Sequence, residues 1–388
     1  MSRILFLTSR FPFPPIGGDK LRTYNFIKHL KKKHQLTIIS FIEDEKELNY
    51  PHHYNKNITR VITIKLPKYQ SYLNCVYGVF TRSPLQIHYY YSSKMKKAIA
   101  KELMNNKYDL IIFHLIRMAQ YIEEDVSVKN VIDFTDAISL NYHRSKKFQR
   151  GWLSGVNFLE SKRVQEYELK SISKAYKSIF ISKIDAEHLR TENNSEKLEI
   201  VQNGVDLIKF SFNSAQYDSN QISFIGNMRT FPNTDAVLYF VKEIFPLIKK
   251  IRPKLKFYIV GNEPSRDVLK VHDGKSIFVT GFVDSVISYI EKSVLVVAPM
   301  RVGAGIQNKI LESLAIGTPV VTTSIGAEGL DSDVLLIAND PQEFSRKILE
   351  LINNPNLRHD NSINGRKYIE ENFNWDFVLK KLDTIIAE

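Results

Sequence analysis

A chain of 388 residues, 43% hydrophobic and 25% charged, is too long for one ordinary domain and has the balance of a globular protein, which excludes a fibrous or disordered chain. A single cysteine, Cys75, excludes an internal disulfide and a cysteine-held metal cluster, and suits a reducing compartment. The net charge of +12 is one-sided: residues 1–200 hold 33 Lys+Arg against 20 Asp+Glu, the remainder 21 against 22, a field that favours an anionic partner.

The N-terminus, MSRILFLTSRFPFPP, has an apolar core of four residues and no small-residue cleavage site. It reads as a strand and not as a signal peptide, and no stretch approaches the roughly eighteen apolar residues of a membrane span. RILFLTS, LTIISF, VITIKL, DLIIFHL, NVIDF and SIFIS are short, β-branched and unalternated, as buried parallel strands are. Between them, DKLRTYNFIKHLKKK and SSKMKKAIAKELMNN read as helices, the first opened by Asp19 as N-cap after Gly17-Gly18. His114 closes one strand, and Asp133 and Asp136 flank the end of another. The two aspartates are candidates for orienting acceptor hydroxyls, Asp136 alternatively for capping a helix, and His114 alternatively for a structural role. The run 69–97 mixes seven aromatics with Arg82, Lys94, Lys96 and Lys97. It suits a membrane interface or sugar stacking, or in part a core.

The second half repeats the alternation: QISFIGN, KFYIVGN, SIFVTGF, VLVVAP, TPVVTTS and VLLIA as strands, with helices such as TDAVLYFVKEIFPLIKKI between them. Two doubly wound α/β domains follow. The boundaries expected are 1–200, 201–368, and an amphipathic C-terminal helix 369–388 that could pack on either domain, crossing back to the first in one of the two cases. A polar linker is expected near 211–220.

One segment carries chemistry: APMRVGAGIQNKILESLAIGTPVV, 298–321. On a helix, Ile306, Ile310, Leu311 and Leu314 share an arc, and Asn308, Lys309 and Glu312 lie on the other, facing outward. The helix follows Gly303 and Gly305 at a strand's carboxyl end, where open α/β sheets bind ligands. Glycines let backbone approach an anion, the helix start favours its charge, and Lys309 adds a full positive charge. Glu312, one turn on, suits a vicinal diol. The alternative is a solvated i,i+3 ion pair. Arg229, after ISFIG, stands at a similar strand end.

This segment, with SIGAEGL, ISFIGNMRTFPNTDAVLYF and VQNGVD, resembles the nucleotide-sugar site of the family-4 retaining glycosyltransferases, and SRFPFPPIGGDKLRTYNFIKHL resembles their N-terminal half more thinly. The resemblance implies α/β GT-B architecture, two facing Rossmann-like domains with a cleft between them, the first on the acceptor side and the second on the donor side. It implies that Glu312 binds the donor ribose and that Lys309 and Arg229 hold the diphosphate. The loop of Gly303, Gly305, Ile306, Gln307 and Asn308, together with Gly226, would contact phosphate and sugar hydroxyls, and Val283 in GFVD would meet the base. Gly17 and Gly18 would approach the diphosphate, and His114 the reacting sugar. The common family signature has two glutamates eight positions apart; here Ala304 stands eight before Glu312, which puts donor choice in question.

The expectation is a metal-independent retaining sugar transfer from a nucleoside-diphosphate sugar to a lipid-linked or glycan acceptor in cell-surface polysaccharide or glycolipid assembly. No cofactor is expected beyond that co-substrate. The protein would be cytoplasmic, peripheral on an anionic inner-membrane face through its basic half. A nucleotide-sugar epimerase of the same fold and a non-catalytic nucleotide-binding subunit are the rivals. Nucleic acid is not expected, since no reader motif is present. Asp331-Ser332-Asp333 precedes a strand and reads as a turn, not a metal motif.

Overall fold

The apolar runs become parallel strands in two sheets, in a computed structural model that describes residues 1–15, 17–43, 47, 58–123, 127–145, 153–213 and 217–388. The chain divides into two compact units, Met1–Val201 with Leu379–Glu388, and Gln202–Val378.

In the first unit the strands are β1 Arg3–Thr8, β2 Gln35–Ile42, β3 Ile58–Lys65, β4 Leu110–His114, β5 Lys129–Thr135, β6 Lys177–Phe180 and β7 Leu198–Ile200. They lie in the order β3-β2-β1-β4-β5-β6-β7. Strands β1, β2 and β4 are buried almost end to end, which requires apolar side chains on both faces. At the edge, β3 is mostly exposed or half-buried and carries Arg60 and Lys65, charges that discourage further pairing. Register sets Thr8 beside His114 and His114 beside Asp133. The strand order reverses between β1 and β4, so Thr8 and His114 stand at the switch point of the sheet and Asp133 one strand beyond it.

The second unit has β8 Asp218–Ile225, β9 Lys256–Val260, β10 Ile277–Gly281, β11 Ser293–Ala298, β12 Val320–Thr322 and β13 Leu336–Ile337, in the order β10-β9-β8-β11-β12-β13. Its switch point lies between β8 and β11. The stretch expected as one helix after β8 is three pieces, Phe231–Tyr239, a π turn Phe240–Ile244 and Phe245–Ile251. Pro246 has no N–H to give to the preceding turn, and the ladder loosens there. The expected linker near 211–220 lies in part outside the described residues, and β8 takes up its last three positions.

The C-terminal segment is not one helix. Pro355–Asn372 ends at Phe373, Asn374 bridges to Val205, and Trp375–Val378 stays in the second unit. The Trp375 ring closes on Gly204, where a Cβ would come within 2.8 Å of it. The return to the first unit therefore starts at Leu379 and not at 369. The last helix, Lys380–Ala387, buries Leu382 and Ile385. Asp383 accepts from Lys33 at 2.6 Å and meets His29 Nε2 at 2.8 Å, and Lys381 pairs with Glu199 at 3.0 Å.

Candidate functional site

In the second unit the glycine loop and the helix after it stand at the carboxyl end of β11. The helix runs Asn308–Ile316 with Gln307 as N-cap residue, and Gly317 ends it in the left-handed conformation. Gly305 holds φ +69° and Gly303 φ +153°, values that side-chain-bearing residues rarely adopt. First-turn amides of such a helix point out of its start.

Lys309 does not face outward. It is only 8% exposed, because the short helix is sunk among its neighbours and the flexible stem turns inward toward the Phe224 ring. Its ammonium donates to Asn233 Oδ1 at 2.7 Å and to Gln307 Oε1 at 3.3 Å. The same group lies 4.7 Å from the centre of the Phe224 ring, a cation–π contact. Burial lowers the Lys309 pKa to about 7, against the opposing pull of Glu312. Glu312 stays partly exposed, yet burial of its carboxyl raises its pKa to about 7, opposed by Lys209 and then Lys309. Two nominally opposite charges thus both titrate near neutrality.

Asn233 ties this lysine to the end of β8. Its Nδ2 donates to Asn227 O at 3.0 Å, and a Cβ on Gly226 would come within 2.8 Å of its amide. Arg229 follows, with its side chain 74% exposed and 3.4 Å from Glu263. Asn308 Oδ1 accepts from Asn203 Nδ2 at 3.1 Å, so VQNG packs beside the same helix start. Ile306 is buried, Ala304 is half-buried, and Val283 lies in the partly exposed turn after β10. Asn233, Phe224 and Lys209 were not singled out from sequence. Asn233 lies in FPNTDAVLYF, but nothing local marks it as a lysine partner.

In the first unit, His114, Asp133 and Arg22 form a buried network. The Arg22 Nε donates to both Asp133 oxygens, at 3.1 and 2.9 Å, and an Nη donates at 2.9 Å. His114 Nδ1 lies 2.9 Å from Asp133 Oδ2. Against the upward push of burial, Arg22 and then His114 hold the Asp133 pKa far below the usual carboxylate range. An ionised Asp133 can only accept, so Nδ1 carries the proton of that bond and the other ring nitrogen, Nε2, faces away from it. That Nε2 is buried with no hydrogen-bond partner. Asp133, fully buried and bonded to Arg22 and His114, does not orient an acceptor hydroxyl directly; it positions the imidazole. Arg22 was missed because its partner lies 111 residues away and a helical arginine reads as a surface group.

Asp136 does not cap the helix Ile138–Ser145. The Ala137 amide donates to Asp185, and those of Ile138 and Ser139 to Glu168. One Asp136 oxygen and the Thr135 hydroxyl are buried without partners. Burial, then Asp185, raises the Asp136 pKa well above its ordinary value. Asp19 is not the N-cap either. Gly17, at φ +94°, takes that place before the helix Gly18–Leu30, and Asp19 pairs with Arg10 at 3.1 Å. Asp331 accepts from the Asp333 amide at 3.1 Å, the turn expected there.

Residues 219–354 match the family model described as Glycosyl transferases group 1. An uncharacterized 44.6 kDa protein in the cps region of Klebsiella pneumoniae is 22% identical, over 96% of this chain and 97% of its own length. An uncharacterized glycosyltransferase of Methanocaldococcus jannaschii is 25% identical, over 94% and 92%. Among solved structures, HepE of Anabaena in complex with UDP and glucose superposes with a TM-score of 0.70 at 13% identity, covering all of both chains. TarM does so at 0.70 and 12%, covering 100% and 99%. At these identities the likeness establishes the fold alone, an α/β fold of the GT-B class with two Rossmann-like units.

Proposed function

We propose that the chain, whose residues 219–354 match the Glycosyl transferases group 1 model, moves a sugar from a nucleoside-diphosphate sugar to an acceptor hydroxyl, with retention and without a metal. The observation that carries this reading is Lys309, a buried ammonium in the first turn of the helix that follows a positive-φ glycine loop. The chemical burden of the reaction is the departure of a diphosphate with growing negative charge. Lys309, the amides of residues 303–308 and the helix start stabilise that charge as it develops. Arg229 swings from Glu263 to the diphosphate, and Glu312 accepts from the ribose hydroxyls. His114 Nε2 meets the reacting sugar, held by Asp133 and Arg22. The neighbour bound to UDP and glucose supports a nucleotide-sugar donor, and the relative encoded in a cps region supports a polysaccharide or glycolipid acceptor. The basic first half suits work at the inner face of a membrane.

A thermal-shift series of UDP-, GDP- and ADP-sugars, followed by turnover with the donor that binds, tests the reading. Lys309→Met and Glu312→Ala are expected to lower turnover roughly 10²–10³-fold while leaving the circular dichroism spectrum intact. Wild-type rates in both would overturn the assignment. Donor incubated without acceptor should not form an epimer, and a chain that binds none of the three donor classes is not a transferase of this kind.

A further inference from the structure

The helix Lys68–Val79 turns its small and polar residues inward and its large apolar residues to water. Ser71 and Gly78 are buried, Cys75 Sγ lies 3.6 Å from Leu85 O, and Asn74 donates to Tyr91 O at 3.0 Å. Gly78 is a point of close packing, since a Cβ there would come within 2.5 Å of the His88 ring. On the opposite face Tyr69, Tyr72, Leu73, Val76, Tyr77 and the cap residue Phe80 form one stripe at helical spacing, each between 62% and 86% exposed. A helix that only covered a sheet would present the reverse pattern. Six such side chains in one patch mark an interaction surface.

Charge identifies the partner. From Leu48 through Lys101 the sequence holds nine Lys and Arg and no Asp or Glu, and Lys68, Arg82, Lys94, Lys96 and Lys97 are exposed. A second copy of the chain on this face would set like charges against each other, and a purely acidic surface would leave the stripe in water. An anionic bilayer satisfies both: acyl chains take Leu73, Val76 and Phe80, tyrosine hydroxyls stay at headgroup level, and the cations meet phosphate. Twelve residues make a helix about 18 Å long that lies in the interface plane, and no helix among the described residues is long and apolar enough to cross a membrane. We propose that the outward face of the Lys68–Val79 helix docks the protein on an anionic lipid bilayer. That this brings it to a lipid-linked acceptor rests on the transferase reading; the docking itself does not.

The test is co-sedimentation of the full chain with phosphatidylcholine vesicles with and without phosphatidylglycerol, at low and high salt. Binding is expected only with the anionic lipid, weakened by salt. Val76→Glu and Phe80→Glu, at exposed positions, should each weaken it roughly tenfold, and Ile208→Glu, at a still more exposed apolar site in the second unit, should not. Donor binding measured by thermal shift should be the same in all three variants, which reports on folding and on the transferase reading separately. Absence of vesicle binding, equal binding in the stripe variants, or light scattering showing a dimer that the stripe variants dissolve would each overturn the docking. Vesicle binding without donor binding would overturn only the transfer.

Discussion

Lys309 sits in surroundings that disfavour its own charge, and this has a sign that can be measured. Its folded pKa of about 7 lies below the ordinary 10.5, so across that window the unfolded chain holds a proton that the folded chain has lost, and stability rises with pH. Glu312, raised from 4.5 to about 7, keeps a proton when folded, so its contribution falls as pH rises from 4.5 to 7. Together the pair places a stability minimum near neutrality in the free protein. A bound diphosphate favours the ammonium and ribose hydroxyls favour the carboxylate. Donor binding should therefore take up a proton at pH 8, lost in Lys309→Met, and release one at pH 6, lost in Glu312→Gln. Calorimetry in buffers of different ionisation enthalpy measures both, and uptake independent of pH would contradict the placement. The residue types and spacing of this pair are legible in the sequence, but the burial is not. A helical arc places any lysine opposite the leucines on the outside, while its actual partners, Asn233 and Phe224, are brought in by a different strand and helix. The Arg22–Asp133–His114 network is hidden for the same reason.

The elements were more readable than their contacts. The apolar runs became strands because buried parallel strands need no alternation, and Ser92 caps the second predicted helix through the Met95 amide. Gly317 ends the Asn308–Ile316 helix where Gly-Thr-Pro suggests a stop. Between Gly303 and Gln307 the loop's shape depends on left-handed backbone. Gly305→Ala should cost about 1–2 kcal/mol in chemical denaturation and weaken donor binding, whereas a stability equal to wild type would show that the loop relaxes freely. The Lys68–Val79 helix marks the limit of pattern reading. Its apolar spacing is that of any core-facing helix, and periodicity fixes which residues share a face without saying which way the face turns. The small residues Ser71, Cys75 and Gly78 decide it, because they allow close approach to the Leu85–Tyr89 helix while the bulky face stays outside. In the same run Tyr90 is buried, so the core reading of the aromatic stretch holds for that residue.

At the level of the whole chain, the second unit is an insertion. The first unit runs to Val201 and is completed only by Leu379–Glu388, and the last ten residues supply it with Leu382, Ile385 and the Asp383 contacts. Where the second unit begins and ends, the Val205 amide donates to Phe373 O at 2.7 Å, so its entry and exit segments are neighbours. The two severance points therefore lie close together, and the intervening stretch carries its own sheet and hydrophobic centre. Residues 202–378 made alone should melt cooperatively and bind the nucleotide sugar, while 1–201 made alone should melt earlier than 1–201 joined to 379–388. If so, the second unit is a transplantable cassette, and on the transferase reading proposed above its exchange would change the sugar donor while leaving the first unit intact.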